Sequence, residues 1–282
     1  RWTLELQKQP MEFFVRRLEG LLDETCAELG RFIGADPQDL VLVDNATAGM
    51  NIVAGSIELE PGDQVLLTDH EYGAVRRLWQ KTCQAAGAEL VVRKLPWPLL
   101  EDDSAEHLVE HLVASITDRT KLLVASHVTS ATATTLPIAS ICQAAAGRGV
   151  PVCVDGPHAI AMLDLDIEQI GCDYYTASCH KWLSAPFGSG FLWVRRRHQH
   201  RIRPAIISWG GSIGGRDPSW KDEFTWGGTR DPASWLAIPD AIAFLEDYGI
   251  ERFREQSHAL VNRARQRLLE LTRLEAPLPE SL

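Results

Sequence analysis

The chain has 282 residues, 45% of them hydrophobic, enough for one large domain or two around a substantial core. Its 28 basic side chains against 38 acidic ones leave a net charge of −10. That balance disfavours a generic nucleic-acid or anionic-membrane binder, because phosphate binding draws on surplus Lys and Arg.

From Pro10 to about Gly30, Phe14, Leu18, Leu21 and Leu22 fall on one helical stripe, with glycine at the exit. Short β-rich runs then alternate with helical patterns. The strands are expected at 40–44, 64–69, 89–95, 121–127, 151–156, 172–178 and 189–194. Helix-like segments such as "EYGAVRRLWQKTCQAAG" and "IASICQAAAGRG" separate the earlier ones. Continuous apolar strands between helices predict an α/β domain whose mostly parallel sheet is covered on both faces. Ligands of such sheets bind beyond the carboxyl ends of the strands. The stretch from Pro232 to Leu274 reads as helical and as the lead into a second, smaller domain that the chain does not complete. The expected division is 1–34 as an N-terminal helical segment, 35–235 as the large domain and 236–282 as the start of an incomplete small domain.

The one strong basic cluster, "RRRHQHRIR" from Arg195 to Arg203, reads as a solvated face after a strand rather than an anion site. Six cysteines at irregular spacing, with no CxxC pair, fit a reducing, cytoplasmic setting better than a disulfide framework or a zinc site. No apolar stretch approaches a membrane span, and no signal peptide is seen. The chain starts without Met and stops at "LEAPLPESL", so it reads as a fragment from which a targeting segment could have been lost. Its nine tryptophans are read as core packing before pocket or dimer-seam lining.

Four strand ends carry polar residues that a merely structural sheet does not need. In "VDNATAGMN" Asn45 can cap a helix opened by Ala46 and Thr47, either as an ordinary N-cap or as a cradle for phosphate. In "TDHEYGA" Tyr72 stands where its ring can stack on a planar ligand or simply pack. In "VDGPHA" Asp155 ends a very apolar strand, with His158 close behind. A buried carboxylate there needs a cationic partner, such as a protonated ring nitrogen, or serves to cap the next helix. In "TASCHKW" Ser178, His180 and Lys181 end the neighbouring strand; alone, Lys181 reads as a snorkelling surface residue, but an amine set against an aldehyde can condense to an imine. Phosphate cradle, aromatic lid, carboxylate and amine together describe a pyridoxal phosphate pocket.

With these motifs the chain resembles the class V aminotransferase family of fold-type-I pyridoxal phosphate enzymes, and within it the isopenicillin N epimerase-like branch. The resemblance runs from Arg1 into the 270s and is densest in "SHVTSATATTLPI", "VDGPHA", "DYYTASCHKWLSAPFGSGFLWV" and "WGGTRDPASWLAIPDA". It implies that Lys181 forms the internal aldimine and shuttles protons at the substrate α-carbon. Asp155 would keep the pyridine nitrogen protonated, and His158 would hydrogen-bond the ring 3'-oxygen. Ala46, Thr47, Ser178 and His180 match the phosphate cradle, and Tyr72 the ring-stacking position. Ser130 stands where many relatives carry a cofactor- or substrate-contacting asparagine. Thr229 matches a residue that reaches the phosphate from the neighbouring subunit, which implies a homodimer. Arg230 is a stand-in for the substrate-carboxylate arginine, normally in the C-terminal domain, and a desulfurase-type loop cysteine would lie beyond Leu282.

The resemblance thus implies an enzyme acting on an amino-acid substrate, whether as epimerase, transaminase or lyase. Cysteine desulfurase or C–S lyase chemistry on the same fold and a non-catalytic dimeric scaffold are the alternatives. A metal site built from His127, His158, His180 and Asp155 ranks below these, since they lie on separate strand ends without a ligand motif.

Overall fold

A computed structural model describes residues 1–96, 98 and 105–277. The end of the expected small-domain segment, 278–282, lies outside the described residues. Seven strands form one sheet: β1 (Leu40–Val43), β2 (Gln64–Thr68), β3 (Glu89–Arg93), β4 (Thr120–Ser126), β5 (Val152–Asp155), β6 (Tyr174–Ser178) and β7 (Gly190–Val194). Their spatial order is β1-β7-β6-β5-β4-β2-β3. Only the pairs involving β7 are antiparallel. Because β7 runs against both its neighbours, β1 points the same way as β6. The carboxyl ends of β1, β2, β4, β5 and β6 therefore share one edge, the edge at which such sheets bind ligands.

Helices α1 (Leu18–Ile33), α2 (Ala46–Ser56), α3 (Gly73–Ala86), α4 (Ala105–Val113), α5 (Ile138–Ala146), α6 (Ile238–Tyr248) and α7 (Ile250–Thr272) complete the frame. The apolar side chains of β5 show how the sheet sorts them. Val152 and Val154 join a core with Leu29 and Ile33 of α1, Leu112 of α4, Ile141 of α5 and Ile242 of α6. Cys153 points the other way, to Met50 and Val53 of α2 and Val75 and Trp79 of α3. Alternation along an all-buried strand is what two covering layers require.

The N-terminal helix is less regular than its stripe predicts. Over Phe13–Arg17 the chain makes a π-turn, with the Leu18 N–H reaching Phe13 O five residues back. The wider turn buries Phe13 while Arg17 Nη2 meets Glu5 Oε2 at 2.7 Å. The basic cluster after β7 is tied to acids of its own chain. Arg196 pairs with Asp36 and Asp39, and Arg197 and His198 both bond Asp173 Oδ1. No residue of α7 is buried. No helix among the described residues is long and apolar enough to cross a membrane.

Register places the functional ends level with one another. Ser126 pairs with Asp155, and Asp155 with Thr176. Gly190 pairs with both Ser178 and Val43. A Cβ at Gly190 would lie 2.6 Å from Ala177 O and 2.9 Å from Asn45 Cα, so glycine lets α2 begin directly over the end of β6.

Candidate active site

Asp155 is the last residue of β5 and is only 4% exposed. Among the described residues, no hydrogen-bond donor reaches its carboxylate. Burial, with the nearby Glu71 adding repulsion, pushes its pKa up to about 7, while Lys181 pulls the other way. A carboxylate left in that state is short of a cationic partner.

Lys181 follows the end of β6 and reaches into the same cavity. Its Nζ is 2.8 Å from His158 Nε2. Burial lowers the lysine pKa, and Asp155 opposes that shift. His158 is lowered by burial and then by Lys181. The two basic groups therefore share a contact in which neither readily keeps an extra proton.

The phosphate-cradle candidates are brought together by the meeting of α2 with β6. Asn45 caps α2 through its side chain, which accepts from Ala48 N at 2.9 Å. Ala46 N donates to Ser178 Oγ at 2.9 Å, joining the helix start to the strand end. Thr47 is exposed at the first turn. His180 also lines the cavity; burial and then Lys181 lower its pKa, while a hydrogen bond with the Ser189 backbone opposes them. The capped helix N-terminus at the cavity is suited to an anionic group.

Tyr72, half exposed, precedes α3, and Ser130 lies on the loop after β4. Both line the cavity together with Ala46, Thr47, Asp155, His158, Ser178, His180 and Lys181. The cavity encloses about 270 Å³. The other two expected residues stand apart from it. Thr229 is exposed on a loop, and Arg230 pairs with Asp44 at 2.6 Å while its guanidinium sits 3.8 Å over the Trp235 ring. Arg230 lines a different depression, beside Ile52, Ile206 and Phe224.

Sequence reasoning passed over three contributors. Glu71 was visible only as part of a polar strand exit, yet its carboxylate is buried and accepts from Thr68 Oγ1 and Ser126 Oγ, each at 2.6 Å. Burial raises its pKa. Ser126 ends β4 on the cavity wall. Tyr175 packs against Gly156, next to Asp155: its hydroxyl is 2.9 Å from His127 Nδ1, and burial lowers His127 to about 4. None of these carries a local motif, because each owes its place to a partner on another strand. Among the described residues no group of three His, Cys, Asp or Glu side chains is placed to hold a metal ion.

The sequence profile of the aminotransferase class-V family matches residues 13–281. The chain is 39% identical to an isopenicillin N epimerase of Streptomyces clavuligerus over 93% of its own length and 68% of that protein. It is 38% identical to the isopenicillin N epimerase of Amycolatopsis lactamdurans, over 96% and 70% of the two chains. A probable cysteine desulfurase of Halalkalibacterium halodurans is 30% identical over 86% of this chain and 60% of that one. In fold it is similar to a cystine C-S lyase solved with its product cysteine persulfide, at a TM-score of 0.78 and 24% identity over 91% and 69% of the two chains. The chain thus spans about two thirds of the epimerases it matches.

Proposed function

The chain belongs to the aminotransferase class-V family, and from that premise we propose that it is a pyridoxal-phosphate-dependent enzyme acting on an amino-acid substrate. One observation carries the reading. Asp155, buried and reached by no hydrogen-bond donor among the described residues, and the Lys181 amine open onto one cavity that the capped start of α2 and His180 also line. These residues fit the cofactor: a protonated ring nitrogen supplies the cation Asp155 lacks, and a phosphate suits the helix start.

Bound there, the cofactor would supply an aldehyde for covalent attachment and an electron sink for charge developing at the substrate α-carbon. The chain's own residues do the rest. Lys181 is the attaching amine, and once released it is the base that takes or returns a proton at the α-carbon. Its lowered pKa leaves more of it as free base at neutral pH. Asp155 would keep the ring nitrogen in its charged form. His158 would bond the ring 3'-oxygen, Tyr72 would cover the ring, and Ser130 would meet cofactor or substrate. Ala46, Thr47, Ser178 and His180 would hold the phosphate.

Relatives named as epimerases support inversion at the α-carbon as the first activity to assay. Relatives named as cysteine desulfurases make C–S bond cleavage the second reading. We place the active form in a homodimer, with Thr229 completing the phosphate site of the other subunit, and in the reducing cytoplasm, where free thiols persist.

The test is to load the full chain with pyridoxal phosphate, reduce it with borohydride and locate the attached peptide. Attachment at Lys181 is expected, and failure to bind the cofactor would overturn the reading. A panel of amino acids, scored for inversion at the α-carbon and for released sulfide, then separates epimerase from C–S lyase chemistry.

A further inference from the structure

We infer that Trp182 is a positioning residue of this site: its indole N–H holds His158 in the tautomer that carries its proton on Nε2, aimed at the Lys181 amine. The inference deepens the function proposed above, and its catalytic consequence rests on that reading; the geometry itself does not. Neighbours in the chain clasp the two ring nitrogens. Trp182 Nε1 lies 3.4 Å from His158 Nδ1, and Lys181 Nζ lies 2.8 Å from Nε2.

Hydrogen-bond inventory decides the tautomer. An indole nitrogen can only donate, so Nδ1 must accept, and in a neutral imidazole the proton then sits on Nε2. That N–H faces Nζ, which can accept it only as a neutral amine. An ammonium at 181 would oppose donor to donor. The other tautomer would suit the ammonium but set the imidazole N–H against the indole N–H, and an imidazolium would likewise set its Nδ1–H against the indole N–H, even where a neutral amine accepts from Nε2. The neutral pair with the proton on Nε2 is the arrangement in which both contacts are satisfied. The titratable groups acting on the pair are Lys181, which disfavours a charged His158, and Asp155, which favours the charged lysine. Burial works against charge on both members.

The clasp is held from outside the cavity by the start of α7. Phe253 meets the Trp182 ring edge-on, with centroids 6.4 Å apart. Next to it, Arg254 donates to Ala161 O at 3.2 Å and Leu163 O at 2.7 Å, in the turn that follows His158. Ala161 there has φ of +65°, a conformation an alanine keeps only when its surroundings impose it. One helical turn thus steadies both the indole and the imidazole segment. The result is a lysine biased toward its nucleophilic form and a histidine that presents a donor, never an acceptor, to whatever occupies the cavity.

The experiment uses full-length protein labelled with 15N-histidine, without cofactor and again with pyridoxal phosphate added. Long-range proton–nitrogen spectra report the protonation of each ring nitrogen, and His158→Gln assigns the resonance by its loss. The expected wild-type pattern is a protonated Nε2 and a bare Nδ1. In Trp182→Phe, which keeps an aromatic ring and removes the N–H, loss of the single-tautomer pattern and an upward shift of the His158 titration midpoint are expected. A wild-type His158 protonated on Nδ1 would overturn the inference even if the variant did not fold. So would an unchanged pattern and midpoint in a folded variant. Cofactor failing to bind while the cofactor-free tautomer is as expected would sink the proposed function and leave the tautomer assignment standing.

Discussion

Glu71 grips Ser126 twice: its carboxylate accepts from the Ser126 backbone N–H at 3.1 Å and from the Ser126 hydroxyl at 2.6 Å. A third bond from Thr68 Oγ1 ties in the end of β2. The buried acid therefore rivets β2 to β4 at the level where Ser126 pairs with Asp155. Glu71→Ala leaves these donors without an acceptor and is expected to destabilise the fold by about 2–4 kcal/mol. It also removes a negative neighbour, so the Asp155 pKa should fall. Urea unfolding measures the first effect, and the titration of Asp155 by carboxylate NMR the second.

Asp155 makes the cofactor-free protein sensitive to pH. Its folded pKa of about 7 lies above the unfolded value near 3.8, so the folded state holds its proton more tightly. The stability this confers is fully present below the unfolded value. It is lost as pH rises through about 7, by at most about 1.4 kcal/mol per pH unit. Asp155→Asn should flatten that slope in the cofactor-free protein while weakening cofactor retention. Denaturation midpoints across pH 4–8, with and without cofactor, check both halves.

Lys181→Ala should leave the fold intact, since the side chain opens onto the cavity rather than the core. Turnover is expected to drop by at least about 100-fold, the scale of losing a proton-transfer group. Borohydride should then fix no cofactor to the chain. Wild-type turnover in this variant would remove the lysine from the mechanism.

Gly156→Ala tests how tightly the chain just after Asp155 is packed. An added Cβ would stand 2.2 Å from the Tyr175 ring. That ring cannot easily retreat: Phe191 stacks on it with centroids 6.2 Å apart, and His127 bonds its hydroxyl. A loss of about 1–3 kcal/mol is expected in urea unfolding.

All six cysteines are free and buried. Burial raises Cys26 to about 11 and Cys142 to about 12, and carries Cys153, Cys172 and Cys179 upward as well. At pH 7.5 a thiol reagent should label none of them in the folded protein and all six after denaturation. Rapid labelling of a native thiol would contradict the packing.

The class of fold was legible because apolar runs such as "KLLVASH" and "PVCVDG" can be strands covered on both faces and little else. The residues around the cavity were legible too, for a related reason. Asp155, Ser178 and Lys181 stand at strand ends where an apolar run turns abruptly polar, and such a break is a local signal. The π-turn at Phe13–Arg17, where Arg17 meets Glu5, was not, since nothing in the local sequence pattern marks it. Nor was the separate position of Arg230, which Asp44 and Trp235 hold beside another depression.

By itself, then, the sequence determined the alternation of strands and helices and the polar residues at each strand exit, because hydrophobic period and turn chemistry are properties of neighbouring residues. Only the tertiary structure decided which exits lie side by side, that Glu71 rather than solvent receives Ser126, and that Trp182 and Lys181 close on opposite nitrogens of His158. Those relations join residues far apart in the chain, and sheet order and register bring them together.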